Sequence, residues 1–364
     1  MSAIRIEGLV KRFGSVTAVD DVSITAKEGQ FTTLLGPSGC GKTTILRMTA
    51  GLETPDAGEM WIGDELVASP AKRINIAPEN RNLGMVFQSY AIWPHMTAFQ
   101  NVAYPLRLRK IKKAAINDRV KEVFGLLRLE GLENRYPGQL SGGQQQRIAL
   151  GRAIAYQSRV LLLDEPLANL DAKVREAVRF ELKELQQQLK FTTLYVTHDQ
   201  TEAMAISDKI IVMNHGAVVQ EGTAFDIYHN PQTKFVADFV GQSNFIDGNL
   251  ISANGNIGLV DVGDGILIDA RLQETVAQGG SVSLCIRPED FVMHSTPPKS
   301  GDNRRDWFEG TVQAHVFHGN IVNYFVACGD QLFLVQAKVA SELEFMESDK
   351  VYLSIRPDRA RMVV

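Results

Sequence analysis

Two rhythms of apolar residues divide the chain. In the first part, short unbroken apolar runs alternate with longer stretches at helical spacing. Phe31-Thr32-Thr33-Leu34-Leu35, Val160-Leu161-Leu162-Leu163 and Phe191-Thr192-Thr193-Leu194-Tyr195-Val196 are runs of the first kind. Such runs fit strands covered on both faces, as in a parallel sheet. Asn82 to Phe87 reads the same way. Val174, Val178, Leu182, Leu185 and Leu189 recur at helical spacing, a stripe that belongs in a core, and Asp171 stands where that helix needs an N-cap. Ile4 to Val10 alternates apolar and polar, as a half-exposed strand does, and Val19 to Ala26 follows as a second strand. Gly51 caps the first helix, and Asn214-His215-Gly216 turns a hairpin.

This pattern predicts an α/β domain over residues 1–240. An inserted helical lobe is expected at about 89–158, with helices near Ala98–Arg107 and Ala114–Leu127. At Gly241-Gln242-Ser243-Asn244 the helix–strand alternation stops. Residues 241–364 read as short strands with Gly/Asp turns, an all-β domain. Ser281 to Asp290 echoes Lys350 to Arg359, and Pro297 to Asp302 links the two copies. The simplest account is one small barrel built from two related segments.

Charge narrows the class of partner. The chain has 38 Lys+Arg against 42 Asp+Glu, a formal charge of −4, which argues against a general binder of nucleic acid or anionic membranes. The three cysteines, Cys40, Cys285 and Cys328, have no metal spacing and suit a reducing cytosol. The sequence opens on a strand-like pattern without a signal peptide, and no run reaches membrane-span length. If the protein acts at a membrane, other chains do the crossing.

The chemistry concentrates in one stretch. Gly36-Pro37-Ser38-Gly39-Cys40-Gly41-Lys42-Thr43, followed by Thr44, fits the phosphate-binding loop, with a strand before it and a helix after it. Its glycines let backbone N–H groups close on phosphates at a helix N-terminus, Lys42 supplies a point charge, and Thr43 offers a hydroxyl to Mg²⁺. Cys40 within the loop predicts inactivation by thiol reagents and protection by ATP. Gln88, Asp164-Glu165 and His198 each follow a predicted buried strand, at the sheet edge where ligands bind. Asp164 is placed to hold Mg²⁺ through water, and Glu165 to polarise a water that attacks the γ-phosphate. Gln88 either reaches Mg²⁺ or the attacking water, or merely ends its strand. His198 fits a γ-phosphate contact. Ser141-Gly142-Gly143-Gln144 opens a helix as a second anion site, which has a use if two copies of the chain share each nucleotide. Phe13 either stacks on a base or packs at a strand end. Tyr90 to Met96, aromatic and irregular, is either a docking surface or the local core of the lobe.

In order, these motifs resemble the nucleotide-binding subunit of ATP-binding-cassette (ABC) transporters, across residues 1 to about 240. The correspondence runs from an aromatic loop at Phe13 through Walker A at Gly36–Thr44, the Q-loop at Gln88 and the signature Leu140-Ser141-Gly142-Gly143-Gln144. It continues with Walker B at Val160–Asp164 plus Glu165, the D-loop Ala168-Asn169-Leu170-Asp171, and the switch residue His198. The C-terminal part, with Ile286-Arg287-Pro288-Glu289-Asp290, resembles the TOBE barrel of importer ATPases in the maltose, polyamine and ferric-ion group. The resemblance implies a P-loop NTPase fold with a helical subdomain, followed by an OB-like barrel. It implies ATP and Mg²⁺ as ligands, with Phe13 stacking on adenine. It also implies a homodimer in which Ser141, Gly142, Gly143 and Gln144 of one subunit close on nucleotide held by the other. Two membrane permease subunits would dock near Tyr90–Met96, an extracytoplasmic solute-binding protein would deliver cargo, and the chain would sit on the cytoplasmic face of the inner membrane. Nucleic acid is not an expected partner. Gln144-Gln145-Gln146-Arg147 and Glu181 to Gln186 lean toward ferric ion or polyamine as cargo rather than sugar. Ala168 departs from the Ser of many relatives, removing a cross-dimer hydroxyl. A soluble ABC ATPase of translation or DNA repair is disfavoured, because the chain has one cassette and no coiled-coil insertion.

Overall fold

The apolar runs become the middle of one six-stranded sheet. Its order is Ala217–Gly222, Lys209–Asn214, Phe31–Leu35, Thr192–Thr197, Val160–Asp164, Leu83–Val86. Every pair from Lys209–Asn214 to Leu83–Val86 is parallel. The computed structural model describes residues 3–156, 158, 160–272, 279–298, 305–339 and 344–363. The chain divides into two compact units, 1–227 and 228–364.

Parallel pairing fixes where the chemistry collects. Leu35 lies opposite Thr197, Val196 opposite Asp164, and Leu163 opposite Val86. The carboxyl ends of four strands therefore share one edge, and Gly36, Gln88, Asp164 and His198 all follow from it. Leu83–Val86 is an edge strand, so it alternates buried and half-buried residues where full burial was expected. A second, antiparallel sheet runs Val16–Ala26, Ile4–Phe13, Ala57–Ile62, Glu65–Ser69, Ile74–Asn75. Its inner face and that of the parallel sheet share a core with Ile45, Leu46 and Met48 of the helix Lys42–Ala50. Arg81, 2% exposed, fastens this layer by donating to the carbonyls of Ile76, Met48, Thr49 and Val67 and to Asn75 Oδ1. Burial without an acidic partner lowers its pKa to about 10, so it stays charged at neutral pH.

The lobe contains helices Ala98–Leu108 and Lys113–Leu126, close to their expected spans. Thr97 and Gln100 cap the first reciprocally. Val102, Leu106, Val120, Val123 and Phe124 close on Ile148 and Leu150 of the helix Gly142–Ile154 in one cluster. The stripe on helix Ala172–Leu189 is buried at Val178, Leu182 and Leu185.

In the second unit the short strands form a closed barrel, in the order Asn244–Asn254, Ile257–Asp261, Leu267–Arg271, Arg361–Val363, Ser281–Ile286. Beside it stands a sheet that sequence reading did not separate, in the order Phe291–His294, Lys350–Ile355, Trp307–Phe317, Ile321–Cys328, Gln331–Lys338. The two echoing segments explain the arrangement. The first gives Ser281–Ile286 to the barrel and continues into Phe291–His294 of the sheet. The second gives Lys350–Ile355 to the sheet and continues into Arg361–Val363 of the barrel. Each copy crosses at its Arg-Pro turn, and one apolar core fills both halves. The helix Lys234–Phe239 belongs to this unit. Its Ala237 packs on Cys285 and Val363, and Arg287 donates to the carbonyls of Tyr228, Ala237 and Gln242. Of the expected Pro297–Asp302 linker, Lys299 onward lies outside the described residues, as do Met1, Ser2 and Arg159.

Candidate active site

The phosphate loop leaves the strand Phe31–Leu35 and enters the helix Lys42–Ala50. A methyl group at Gly36 would lie 2.3 Å from the Met213 carbonyl oxygen and 2.7 Å from Cys40 Sγ. Gly41 has φ 101°, and a methyl group there would meet the Ala18 carbonyl at 2.3 Å. Only glycine fits at either place. No side chain caps the helix start and no acid sits in its first turn, so its backbone donors suit an anion. Pro37 is half-buried, whereas Ser38 and Gly39 are exposed.

Lys42 is 5% exposed. Its Nζ donates to the carbonyls of Gly36 at 2.8 Å and Pro37 at 2.9 Å and lies 3.6 Å from Cys40 Sγ. Among the described residues it has no acidic partner. A buried cation held only by neutral acceptors needs an anion, which the outer phosphates of a nucleotide supply. Cys40 is 3% exposed and packs in the core with Ile45 and Val19. Its burial corrects the expected thiol reactivity, because a reagent reaches it only when the loop opens.

Thr43 Oγ1 donates to Asp164 Oδ1 at 3.1 Å, across 121 residues of sequence. Asp164 is 5% exposed, and burial raises its pKa against the pull of Thr43 and Arg47. A buried carboxylate beside a hydroxyl is half of a hard-cation site. Among the described residues no cluster of three His, Cys, Asp or Glu could hold a metal. That donor set fits Mg²⁺, which completes its shell with waters and phosphate oxygens, better than a fully caged ion.

Next to Asp164, Glu165 adopts a left-handed conformation with φ 43°, and its N–H is held by the Val196 carbonyl at 3.0 Å. Its carboxylate gathers two other sequence-predicted residues. Gln88 Nε2 donates to Oε2 at 3.1 Å, and His198 Nδ1 lies 3.2 Å from Oε1. The His198 side chain is 55% exposed and that of Glu165 17%. Asp199 caps the helix Gln200–Ile206, accepting from Thr201 and Glu202 N–H groups. Below it, buried Glu202 accepts from Tyr195 Oη and Thr197 Oγ1, both at 2.7 Å. This network anchors the strand end that presents His198.

Sequence reading named Asn169 only within the D-loop and gave its side chain no role. Its Nδ2 donates to the Gln88 carbonyl at 2.8 Å and ties the segment after Glu165 to the one after the strand Leu83–Val86. The signal available was a lone amide in Ala168-Asn169-Leu170. Asp171 caps Ala172–Leu189 through the Val174 N–H at 3.0 Å. Thr44 follows Thr43 in the first helical turn and is half-buried.

Other candidates stand apart from this cluster. Ser141 and Gly142 are exposed. Ser141 and Gln144 form a capping box, and Gly143 lies in the same first turn, which also lacks an acid. Phe13 is 49% exposed at a strand end, with Lys11 Nζ 5.1 Å from its ring centroid. The Tyr90–Met96 segment divides between the two readings. Tyr90 is 6% exposed and joins the lobe's core. Trp93 is half-buried, its ring centroid 4.4 Å from that of Tyr104 and 4.6 Å from the Arg152 guanidinium. Arg152 donates to the carbonyls of Ala91 at 2.6 Å and Tyr90 at 2.9 Å, and Asn101 holds both backbone groups of Trp93. Ser89, Ala91, Pro94 and His95 are the residues left exposed. The aromatics shape this surface from beneath rather than presenting it.

The family description "ABC transporter" matches residues 19–168, and "TOBE domain" matches 284–363. The trehalose/maltose import ATP-binding protein MalK of Thermococcus litoralis is 50% identical over 295 residues, 80% of this chain and 79% of that one. The Fe(3+) ions import ATP-binding protein FbpC of Brucella abortus is 41% identical over 362 residues, 98% of each chain. The spermidine/putrescine import ATP-binding protein PotA of Chromobacterium violaceum is 42% identical, covering 93% of this chain and 91% of that one. Among solved structures, the dimeric MJ0796, a bacterial ABC transporter cassette, is 31% identical with a TM-score of 0.54, covering 61% of this chain and 98% of that one. With both family descriptions matched and a relative of 41% identity covered over 98% of its length, the chain belongs to the ATP-binding subunits of ABC importers that carry a TOBE domain.

Proposed function

We propose that the chain hydrolyses ATP through the Thr43–Asp164 and Gln88–Glu165–His198 groups and delivers the resulting conformational work to membrane permeases. The observation that carries this reading is the convergence of Gln88 and His198 on the Glu165 carboxylate, immediately after the buried Asp164. Lys42 and the backbone N–H groups of the loop Gly36–Thr44, Pro37 excepted, hold the phosphate chain, and Phe13 offers an exposed ring to the adenine. Thr43 and Asp164 hold Mg²⁺, with Gln88 within reach of the same edge. Bound there, Mg²⁺ neutralises charge on the outer phosphate oxygens. Glu165 accepts a proton from the attacking water, and His198, oriented through Nδ1, keeps Nε2 for the γ-phosphate.

Ser141, Gly142, Gly143 and Gln144 complete the site from a second copy of the chain. The exposure of Ser141 and Gly142, with the Ser141 and Gln144 side chains bonded only within their own helix turn among the described residues, supports this reading, as does the dimeric cassette among the related structures. Asp171 and its D-loop face the same junction. The permeases dock on the exposed strip of Ser89, Ala91, Pro94 and His95, near Tyr90–Met96. No helix among the described residues is long and apolar enough to cross a membrane, in keeping with a peripheral subunit on the cytoplasmic face. Relatives named for sugar, ferric ion and polyamine import stand at 41–50% identity. Cargo is read by other subunits, and ferric ion or polyamine is the pair to test first.

The test is cargo-stimulated ATP turnover by the chain reconstituted with its co-purified permeases. Binding proteins loaded with ferric ion, spermidine or maltose are added separately. Stimulation by one loaded protein is the expected outcome and names the cargo. Robust turnover by a chain that recovers no membrane partner would overturn the transport reading.

A further inference from the structure

Three helices of the first unit, Lys113–Leu126, Gly142–Ile154 and Ala172–Leu189, leave a cavity of about 100 Å³ between them. Leu126, Leu150, Val178 and Leu185 give it apolar walls. Exposed Arg128, Glu184 and Gln188 also line it, so it opens to solvent. Its volume is several times what one water needs, and it approaches the roughly 150 Å³ that holds benzene in an engineered apolar cavity.

Two polar atoms of the wall are left open. Gln146 lines the cavity at 3% exposure, and among the described residues its Oε1 has no hydrogen-bond partner. Arg147, next along the helix, also lines it, and its buried Nε has no partner either. The Nη2 of Arg147 is engaged, reaching the two carboxylate oxygens of Glu181 at 2.8 and 2.7 Å. Arg128 Nη1 stands 3.5 Å from the same carboxylate. Two cations thus face the two carboxylates Glu181 and Glu184 around the cavity, and no charge is left for a ligand to neutralise. An open acceptor and an open donor, both buried, are costly. One group serves both: a hydroxyl donates to Oε1 and accepts from Nε. The leucine and valine walls call for an apolar body behind it.

We propose that this cavity binds a small neutral molecule of the phenol class, its hydroxyl between Gln146 and Arg147 and its ring against the aliphatic walls. The site shares no residue with the nucleotide site and does not rest on the ATPase reading.

The test uses the full-length chain, with ADP and Mg²⁺ kept saturating so that stacking at the nucleotide site is not read. Phenol, toluene and benzoate are titrated separately by ligand-observed NMR. Saturable phenol binding is expected. Toluene, which lacks the hydroxyl, and benzoate, which brings an unpaired charge, should each bind about tenfold more weakly or worse. Gln146→Leu removes the open acceptor, and should weaken phenol about tenfold and erase its advantage over toluene while leaving ADP affinity unchanged. Leu126→Trp, at a half-buried position that tolerates a larger side chain, fills the cavity and should exclude phenol and toluene alike. Phenol affinity that neither variant changes overturns the proposal, as does toluene or benzoate binding as tightly as phenol. No saturable binding of phenol means that the cavity holds water only, and overturns it too.

Discussion

Replacing Glu165 with Gln removes the charge on which Gln88 and His198 converge and keeps the shape of the side chain. The geometry allows the variant to fold. One amide oxygen still accepts from Gln88 Nε2, and the new NH₂ group donates to His198 Nδ1 in the tautomer protonated on Nε2. The wild-type contacts are 3.1 and 3.2 Å, and the side chain is 17% exposed, so no buried group is orphaned. The stability change should stay within about 1 kcal/mol. Turnover should respond far more. A general base contributes about 10²–10⁴, or about 2.7–5.5 kcal/mol at about 1.36 kcal/mol per decade. Phosphate release at saturating ATP and Mg²⁺ therefore falls at least about 100-fold, with nucleotide affinity within about threefold of wild type. Light scattering should find the dimer trapped by ATP in the variant alone, because nothing resets it. Turnover within about fivefold of wild type would refute the role of Glu165 as base and the mechanism built on it.

Three further outcomes follow from particular contacts. Asp164→Asn keeps an acceptor for Thr43 but removes a buried charge whose pKa is raised in the fold. A raised carboxyl pKa means the folded state holds its proton longer, so wild-type stability falls as pH climbs from the unfolded value through the folded one. The variant should therefore melt higher than the metal-free wild type at neutral pH, match it in acid, and lose Mg²⁺-dependent turnover; calorimetry across pH checks the sign. Asn169→Ala deletes the hydrogen bond to the Gln88 carbonyl, about 1 kcal/mol, and should lower kcat several-fold while sparing nucleotide binding; faster amide exchange at residues 86–90 is the structural readout. Arg152→Ala removes two donors from the Tyr90–Ala91 carbonyls, worth roughly 1–3 kcal/mol locally. Permease pull-down should weaken markedly, with turnover of the isolated chain retained.

Much of the site was legible because its signals are short. A phosphate loop needs glycine where backbone closes on backbone, and Gly36 and Gly41 meet carbonyl oxygens at 2.3 Å from the position of an added methyl group. Caps are equally local: Ser141 and Asp171 each bond a backbone N–H three residues on. The Tyr90–Met96 surface was half read, since an aromatic run looks the same whether it faces solvent or a core. The fold shows Tyr90 buried in the lobe's core, with Arg152 of the helix Gly142–Ile154 holding its backbone carbonyl. The role of Asn169 escaped because its partner is a carbonyl 81 residues away.

The sequence by itself determined which segments are strands or helices, where the phosphate loop lies, and that an all-β unit follows an α/β one. These depend on periodicity and on residues within a turn of each other. The tertiary structure decided the strand order, and with it the meeting of Thr43 with Asp164 across 121 residues and of Gln88 with Glu165 across 77. It also sent each copy of the C-terminal repeat through both the barrel and the neighbouring sheet, which set Arg271 beside Arg361. The physical reason is that buried parallel strands are nearly interchangeable in composition. Their pairing is chosen by which faces close a common core, a property of the whole chain that no single stretch carries.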